Sequence, residues 1–236
     1  MKYFSLLTIL TVSFVCLHGQ TERELLKRGI VYLSKKEFAL AEMDFSMVIQ
    51  LNPSNDAAYF NRGVARQEQG KHPDAVQDFS TALDINPLNP EAFFNRGNNR
   101  LALQDYMGAM ADFNVAIKAK PKEVKFYLGR SATKSSLQDY RGAISDLLSA
   151  IKLRPKDVTL YYAKAENHIS LKQFQEAIKD LDMVISLRPN DAKAYHARAT
   201  IKFEAEDKEG ACMDWSKAGE LGDVSAYTSI REKCNN

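Results

Sequence analysis

The sequence predicts an all-α fold of repeated helical hairpins, because three columns of residues recur every thirty-four positions. The first column is proline, at Pro53, Pro87, Pro121, Pro155 and Pro189. The second holds a small side chain, at Gly29, Gly63, Gly97, Ser131, Ala165 and Ala199. The third is alanine, at Ala41, Ala75, Ala109, Ala143, Ala177 and Ala211. A period held over six copies is typical of an array in which each repeat stacks on its neighbours.

Each repeat is predicted to contain two helices. Apolar residues are spaced by three or four positions, and breaks divide the repeats near Gly70, Asp105, Asp139 and Lys172. The recurring proline ends the second helix, because it cannot donate a backbone hydrogen bond and disfavours helical geometry in the residue before it. The predicted repeats fill residues 20–222, as 22–55, 56–89, 90–123, 124–157, 158–191 and 192–222.

The small column and the alanine column are expected to mark close contacts between the two helices of a repeat. A larger side chain in either column would force the helices apart. A bulky apolar residue follows each alanine by four positions and should fill the space beside the contact: Phe45, Phe79, Phe113, Leu147, Leu181 and Trp215. Two short helices cannot bury their apolar faces alone, so the repeats must stack.

Two charged columns also run through all six repeats. The basic column comprises Arg28, Arg62, Arg96, Arg130, Lys164 and Arg198. The acidic column comprises Asp44, Asp78, Asp112, Asp146, Asp180 and Asp214. They could form a charged binding strip, but equal numbers of both signs cancel, so we interpret them as ion pairs that tie the stack together. Exposed pairs of this kind contribute about 0–1 kcal/mol each.

The period, the small and alanine columns and the terminal proline resemble the tetratricopeptide repeat (TPR), over residues 21–222. The resemblance implies a right-handed α-solenoid of helix-turn-helix hairpins, whose concave groove is lined by the first helix of each repeat. It also implies a protein or peptide partner, without identifying it. The residues expected to line the groove are Leu26, Ile30, Phe60, Asn61, Phe94, Asn95, Asn98, Leu128 and Tyr162.

Asn61 and Asn95 resemble the asparagine ladder with which some TPR grooves hydrogen-bond an extended peptide. The ladder would have two rungs, because Gly129, Ala163 and Ala197 occupy the following positions. The alternative is that these amides belong to a solvated helix surface. Family members that capture the carboxylate tail of chaperones carry a set of Lys, Asn and Arg in their first helices. Only Asn61 matches that set, so no chaperone-tail carboxylate clamp is expected.

The end of the chain is predicted to form a capping helix over residues 223–236. Gly222 suits the left-handed position after a helix, and Asp223 can cap a new helix. Val224, Tyr227 and Ile230 have helical spacing and are expected to cover the open face of the sixth repeat.

Two cysteines flank this predicted turn. Cys212 lies eleven residues before Asp223 and Cys234 eleven residues after it, so an antiparallel hairpin would bring the two sulfurs together. In an oxidising compartment they would form a disulfide. The alternative is two unpaired thiols.

The first nineteen residues have the character of a cleaved secretory signal: Lys2 precedes an apolar run from Phe4 to Val15. This run is too short for a membrane-spanning helix, and no span is expected after cleavage. We therefore expect an exported protein, periplasmic or secreted, that begins at Gln20 or Thr21. A lipoprotein anchored through Cys16 is the alternative, although Val15 is larger than the residue that such cleavage requires.

Composition and motifs favour a binding protein over an enzyme. Lys and Arg total 32 against 30 Asp and Glu, and these charges are scattered along the chain, which argues against a nucleic-acid partner. His168 and His196 are interpreted as surface side chains, and no metal-ligand spacing, nucleophile elbow or phosphate loop is present. No cofactor or metal is expected. The sequence predicts a scaffold or adaptor; the alternatives are a peptide-binding receptor or chaperone-like protein and, third, an unrecognised hydrolase.

Overall fold

The computed structural model describes residues 21–234, and every regular element in that range is an α-helix, which confirms the predicted fold class. Residues 21–34 form α1. The further helices are α2 (Phe38–Leu51), α3 (Asp56–Glu68), α4 (His72–Ile85), α5 (Pro90–Ala102), α6 (Tyr106–Ala119), α7 (Val124–Ser136), α8 (Tyr140–Leu153), α9 (Val158–Ser170), α10 (Phe174–Leu187), α11 (Ala192–Glu204), α12 (Lys208–Glu220) and α13 (Val224–Lys233).

The chain divides into two compact units, an N-terminal unit that ends at Pro121 and a C-terminal unit that begins at Lys122. Each unit consists of antiparallel hairpins, in which an odd-numbered helix is followed by its even-numbered partner. The predicted signal peptide at residues 1–19 and Cys16 lie outside the described residues. None of the helices between residues 21 and 234 combines the length and the apolar character needed to cross a membrane.

A three-residue turn joins the two helices of each hairpin. Its third residue donates its backbone N–H to the carbonyl five residues earlier, at 2.8–2.9 Å, which closes the end of the first helix. Its second residue has a left-handed φ of 57–74° in every hairpin: Lys36, Gly70, Gln104, Gln138, Lys172 and Glu206. Only Gly70 adopts this conformation without steric cost, so hairpin packing must hold the other five in place.

The recurring prolines end the second helices, as predicted. Each lies two residues beyond the last helical residue, and the residue between them is extended, with φ from −129° to −141°. N-cap side chains then begin the next helix. Asn89 accepts hydrogen bonds from backbone N–H groups of α5, and Asp157 and Asp191 accept them from α9 and α11. Prolines and caps together set the length of each hairpin.

The interior of each hairpin is built around the small column. A Cβ atom added to Gly63 would lie 2.9 Å from the ring of Phe79, so the bulky residue rests directly on the small one. All six alanines of the third column are fully buried. Ser131 Oγ donates to the Ala143 carbonyl oxygen at 3.1 Å, which confirms the predicted contact between the small and alanine columns.

The two charged columns form ion pairs inside each hairpin. Every acidic residue lies 2.6–2.8 Å from the basic residue sixteen positions before it, and the five arginines bind both carboxylate oxygens. The carboxylates are at most 8% exposed. The expectation of weak, exposed pairs is therefore wrong, because a buried carboxylate that loses its partner costs about 3–5 kcal/mol.

Sequence reasoning missed a second basic column that reaches the same carboxylates. Its members lie twelve positions before each aspartate, at 2.8–2.9 Å: Arg66, Arg100, Lys134, His168 and Lys202. The first repeat carries Tyr32 there. His168 is consequently buried against Asp180, so its interpretation as a surface side chain is wrong. The column is hard to recognise in the sequence because its positions hold Arg, Lys, His and Tyr rather than one residue type.

The helix α13 covers the end of the sixth repeat. Asp223 caps it by accepting from the Ser225 backbone N–H, and Gly222 has a φ of 99°, both as predicted. The covering face differs from the prediction: Ala226 is fully buried and Ile230 packs on the core, whereas Val224 is 77% exposed and Tyr227 is 56% exposed. The prediction considered only large apolar side chains and therefore missed Ala226, whose small side chain lets α13 approach the neighbouring helix closely.

Cys212 and Cys234 are joined by a disulfide, with a Cα–Cα distance of 5.9 Å. The bond connects the first half of α12 to the residue that follows α13. Trp215 lies between these two elements, fully buried, with the ammonium group of Lys233 5.3 Å from its ring centre. The bond thus closes the terminal core around the tryptophan.

Candidate binding surface

Four apolar side chains of the predicted groove lie on the first helices of the N-terminal unit, on α1, α3 and α5. The half-buried ring of Phe60 lies 5.7 Å from that of Phe79 in α4, and Phe94 makes the equivalent contact with α6 at 6.0 Å. Leu26 packs on the core of the first hairpin, whereas Ile30 is 47% exposed. The two aromatic rings are therefore held by the core while part of each remains accessible.

Three amide side chains accompany these rings on α3 and α5. Asn61 donates from Nδ2 to the Ala57 carbonyl oxygen at 2.8 Å, which leaves its Oδ1 and one N–H unused. Asn95 and Asn98 are half-buried and make no side-chain hydrogen bond within the described part of the chain. Such amides can donate to and accept from a peptide backbone. We call these residues the first-helix face: Leu26, Ile30, Phe60, Asn61, Phe94, Asn95 and Asn98.

A buried amide that sequence reasoning missed supports this face from behind. Asn99 is 1% exposed and donates from Nδ2 to Gln67 Oε1 and to the Asn95 carbonyl oxygen, both at 2.7 Å. Its Oδ1 lies 2.8 Å from Nδ1 of His72. The network fixes α5 against the preceding hairpin and so sets the position of Asn95. No period marks Asn99 in the sequence, because its column otherwise holds valine, alanine, threonine, asparagine and isoleucine.

The remaining predicted groove residues, Leu128 and Tyr162, lie on α7 and α9 of the C-terminal unit. Leu128 packs on the cluster that contains Leu147 and Leu160. The Tyr162 hydroxyl is enclosed and has no hydrogen-bond partner within the described residues. Its burial, together with the nearby carboxylate of Asp191, raises the pKa of Tyr162 above its usual value. These two side chains are half-buried, like the rings of the N-terminal unit.

A cleft of about 580 Å³ in the C-terminal unit contains the side chains that come nearest to a hydrolase triad. His196 Nδ1 lies 2.5 Å from Asp223 Oδ2, and the His196 side chain is 27% exposed, which agrees with its interpretation as a surface side chain. Ser225 Oγ lies 3.4 Å from the same nitrogen. In a triad the serine and the carboxylate face opposite ring nitrogens, so this arrangement lacks the geometry. Between residues 21 and 234, no three or more His, Cys, Asp or Glu side chains are grouped to hold a metal ion.

Comparison with known proteins identifies the repeat. Models of the tetratricopeptide repeat match residues 57–89 and residues 134–192. No curated protein shows a significant match to the chain.

Solved structures match most of the chain. PilF of Pseudomonas aeruginosa superimposes with a TM-score of 0.71 at 14% identity, over 91% of this chain and 98% of its own. A tetratricopeptide repeat protein from Parabacteroides merdae gives 0.64 at 24% identity, over 91% and 84%. YrrB, described as a TPR protein with an unusual peptide-binding site, gives 0.65 at 18% identity, over 80% and 97%. These identities show the fold, and with the family matches they identify the chain as a tetratricopeptide repeat protein.

Proposed function

We propose that this protein is an exported adaptor that binds a partner protein through its first-helix face. The TPR fold supports a protein-interaction scaffold, and proteins of this kind are generally not enzymes. The observation that carries the proposal is the pairing of half-exposed aromatic rings with amides that have unused hydrogen-bonding capacity, at Phe60 with Asn61 and at Phe94 with Asn95. Rigid rings supply contact area, and the amides supply hydrogen bonds to a peptide backbone.

Export is supported by the apolar run near the start of the sequence and by the disulfide at the chain end, which needs an oxidising compartment. The mature chain should begin at Gln20 or Thr21. A lipid-modified Cys16 as the first residue would instead indicate an anchored lipoprotein. Release into the medium and retention in the periplasm are both compatible with this reading.

A second candidate function is a receptor or chaperone-like protein that grips extended chains. Asn95 favours it, because its side chain is free within the described residues and its backbone is fixed by Asn99. YrrB, described as having an unusual peptide-binding site, provides a precedent on the same fold. The short ladder favours the adaptor, since two amides can align only a few peptide units.

The groove hypothesis predicts that Phe94→Ala with Asn95→Ala abolishes partner capture and leaves folding intact. The mature protein, its first residue verified by intact mass, would be used to capture partners from the exported fraction of the native host. Removing the ring loses contact area, and removing the amide loses hydrogen bonds, so we expect affinity to fall at least about tenfold.

Met107→Ala with Val115→Ala provides the control, because these side chains are 74% and 42% exposed on α6 of the same hairpin. Helix content and melting temperature report folding in both variants. Unchanged affinity in a folded Phe94/Asn95 variant would move the binding surface elsewhere. Loss of folding would assign the two residues to the core.

A further inference from the structure

A basic edge forms where successive hairpins of the C-terminal unit are connected. The segment that joins α8 to α9 and the one that joins α10 to α11, with the helix ends beside them, supply five exposed cations, and the residues before α7 supply a sixth. We call this set the basic edge: Lys122, Lys152, Arg154, Lys156, Arg188 and Lys193. None of them forms an ion pair within the described residues. Along the sequence these charges look scattered, and only the repeat brings them together.

Shared apolar clusters place the three segments side by side. Ile151, at the end of α8, packs both on the cluster of Val124 and on the cluster of Val158. The second cluster also includes Leu187, at the end of α10, and Ala194, near the start of α11. Each connection thus lies over the same continuous core as the next one. The cations on these connections must therefore lie along one edge of the unit.

These cations differ from the paired basic residues of the C-terminal unit. The paired lysines and arginines neutralise carboxylates inside hairpins or along helices, at Arg130, Lys134, Lys164, Lys179, Arg198, Lys202 and Lys217. Glu123, Asp157 and Asp191 also lie in the connecting segments, but they occupy helix N-caps and are only partly exposed. Six exposed cations against three partly buried carboxylates leave the edge positive.

The fold does not require basic residues at these positions. Asn52 and Asn86 precede the first two recurring prolines, with φ of −141° and −129°. Arg154 and Arg188 occupy the equivalent positions in the C-terminal unit, with φ of −135° and −136°. All four donate the same backbone hydrogen bond to the preceding helix, at 2.8–2.9 Å. Asparagine therefore makes the same turn, so the turn does not require an arginine side chain.

We propose that the basic edge is a second interaction surface, which binds a segment of a partner protein rich in Asp and Glu. A peptide can place its carboxylates between the capping carboxylates of the edge. A nucleic acid cannot, because it carries one charge per about 1.7 Å of duplex. Leu153, at 37%, is the one exposed large apolar side chain in these segments, so the edge has little to insert into a membrane. The segments also carry no exposed aromatic ring for base stacking.

The test replaces three cations by residues that the chain itself uses at equivalent positions: Arg154→Asn, Lys156→Ser and Arg188→Asn. A matched control removes the same charge from exposed helical positions of the same unit, with Lys179→Gln, Lys217→Gln and Arg231→Gln. The probe is a fluorescein-labelled polyglutamate peptide of about ten residues, followed by anisotropy in about 50 mM NaCl, where screening is weak.

We expect the edge variant to bind the peptide about tenfold more weakly than the unsubstituted protein, and the control to remain within about twofold. An equal loss in both variants, or a loss in neither, would overturn the proposal. Binding to vesicles that contain phosphatidylglycerol, or to duplex DNA, in place of the peptide would overturn the choice of partner.

The Phe94→Ala and Asn95→Ala variant separates this proposal from the function proposed above, because its substitutions lie in the N-terminal unit. It should bind the polyglutamate peptide like the unsubstituted protein. A loss of peptide binding in that variant would show that the peptide occupies the first-helix face, and the basic edge would then be rejected.

Discussion

At the scale of single residues, buried charges and their partners join particular helices to one another. Asp78 is 2% exposed and is held by Arg62 from one turn of α3 and by Arg66 from the next. Glu42 shows the same principle between hairpins. Burial alone would raise its pKa, but bonds from Lys71, Arg66 and Gln69 outweigh burial and lower the pKa of Glu42 to about 2. Charged side chains thus fix both the hairpin and its neighbour.

At this scale we predict that Arg62→Met destabilises the protein by about 2–4 kcal/mol, since it leaves the buried Asp78 with one cation instead of two. The methionine retains most of the apolar stem, so the loss reports charge rather than volume. Urea unfolding of both proteins would measure the difference. Lys179→Met is the control and should change stability by no more than about 0.5 kcal/mol, because its pair with Glu176 is exposed. A cost for Arg62→Met below about 1 kcal/mol would mean that Arg66 alone compensates Asp78.

Among the elements, α13 depends most on a covalent bond. It has ten residues, fewer than an isolated helix needs in water, and it buries one alanine completely. Its start repeats that of α11 in sequence and capping: a capping Asp, at Asp191 or Asp223, is followed three residues later by a fully buried alanine and then by a tyrosine. The capping helix is therefore built like the first helix of a further hairpin whose partner helix is absent from the described residues.

We predict that Cys234→Ser, or reduction of the disulfide, releases α13 and exposes Trp215. The chain has one tryptophan, so a red shift of its fluorescence would report this event alone. Loss of the cross-link over 22 residues should also lower the free energy of unfolding by roughly 3 kcal/mol. Unchanged emission after complete reduction would show that Ala226 and Ile230 hold the helix without the bond.

The sequence predicts the hairpins well because the period records backbone geometry that every repeat must satisfy. Proline, glycine and alanine have few alternatives at their positions, so they mark turns and close contacts directly. The sequence predicts the side-chain networks less well. Lysine, arginine and histidine substitute for one another beside Asp180 and its equivalents, and Asn99 owes its role to neighbours in another hairpin. Partner binding at the first-helix face and the right-handed superhelix remain predictions.

At the scale of the whole molecule, the hairpins of the described chain keep their buried charges separate from one another and share their apolar contacts. The six aspartates of the acidic column pair with the two basic columns, and each of these pairs lies within its own hairpin. Contacts between hairpins are mainly apolar, with polar additions such as Ser135 Oγ to Asn167 Oδ1 at 2.6 Å. The stability of such an array is approximately the sum of its hairpins and their interfaces.

We therefore predict that deleting residues 158–191, one full period, yields a folded helical protein with a lower melting temperature. The deletion removes α9 and α10 together, so both the carboxylate of Asp180 and its partners leave the chain. Deleting residues 158–173 alone would keep Asp180 and remove Lys164 and His168, and this protein should fail to fold. Circular dichroism would distinguish the two. Equal helicity in both would show that the ion pairs do not define the folding unit.

The confinement of the ion pairs of the acidic column to their own hairpins also bears on how such a gene can change in length. A duplication or loss of 102 nucleotides, one period of thirty-four codons, leaves no buried charge without its partner wherever it begins within the repeat, because the register of every column is restored. Recombination between the codons of the similar segments Tyr59–Gly63 and Phe93–Gly97 would therefore keep every column in register. The number of hairpins can then change during evolution, whereas the buried ion pairs within each hairpin must be kept.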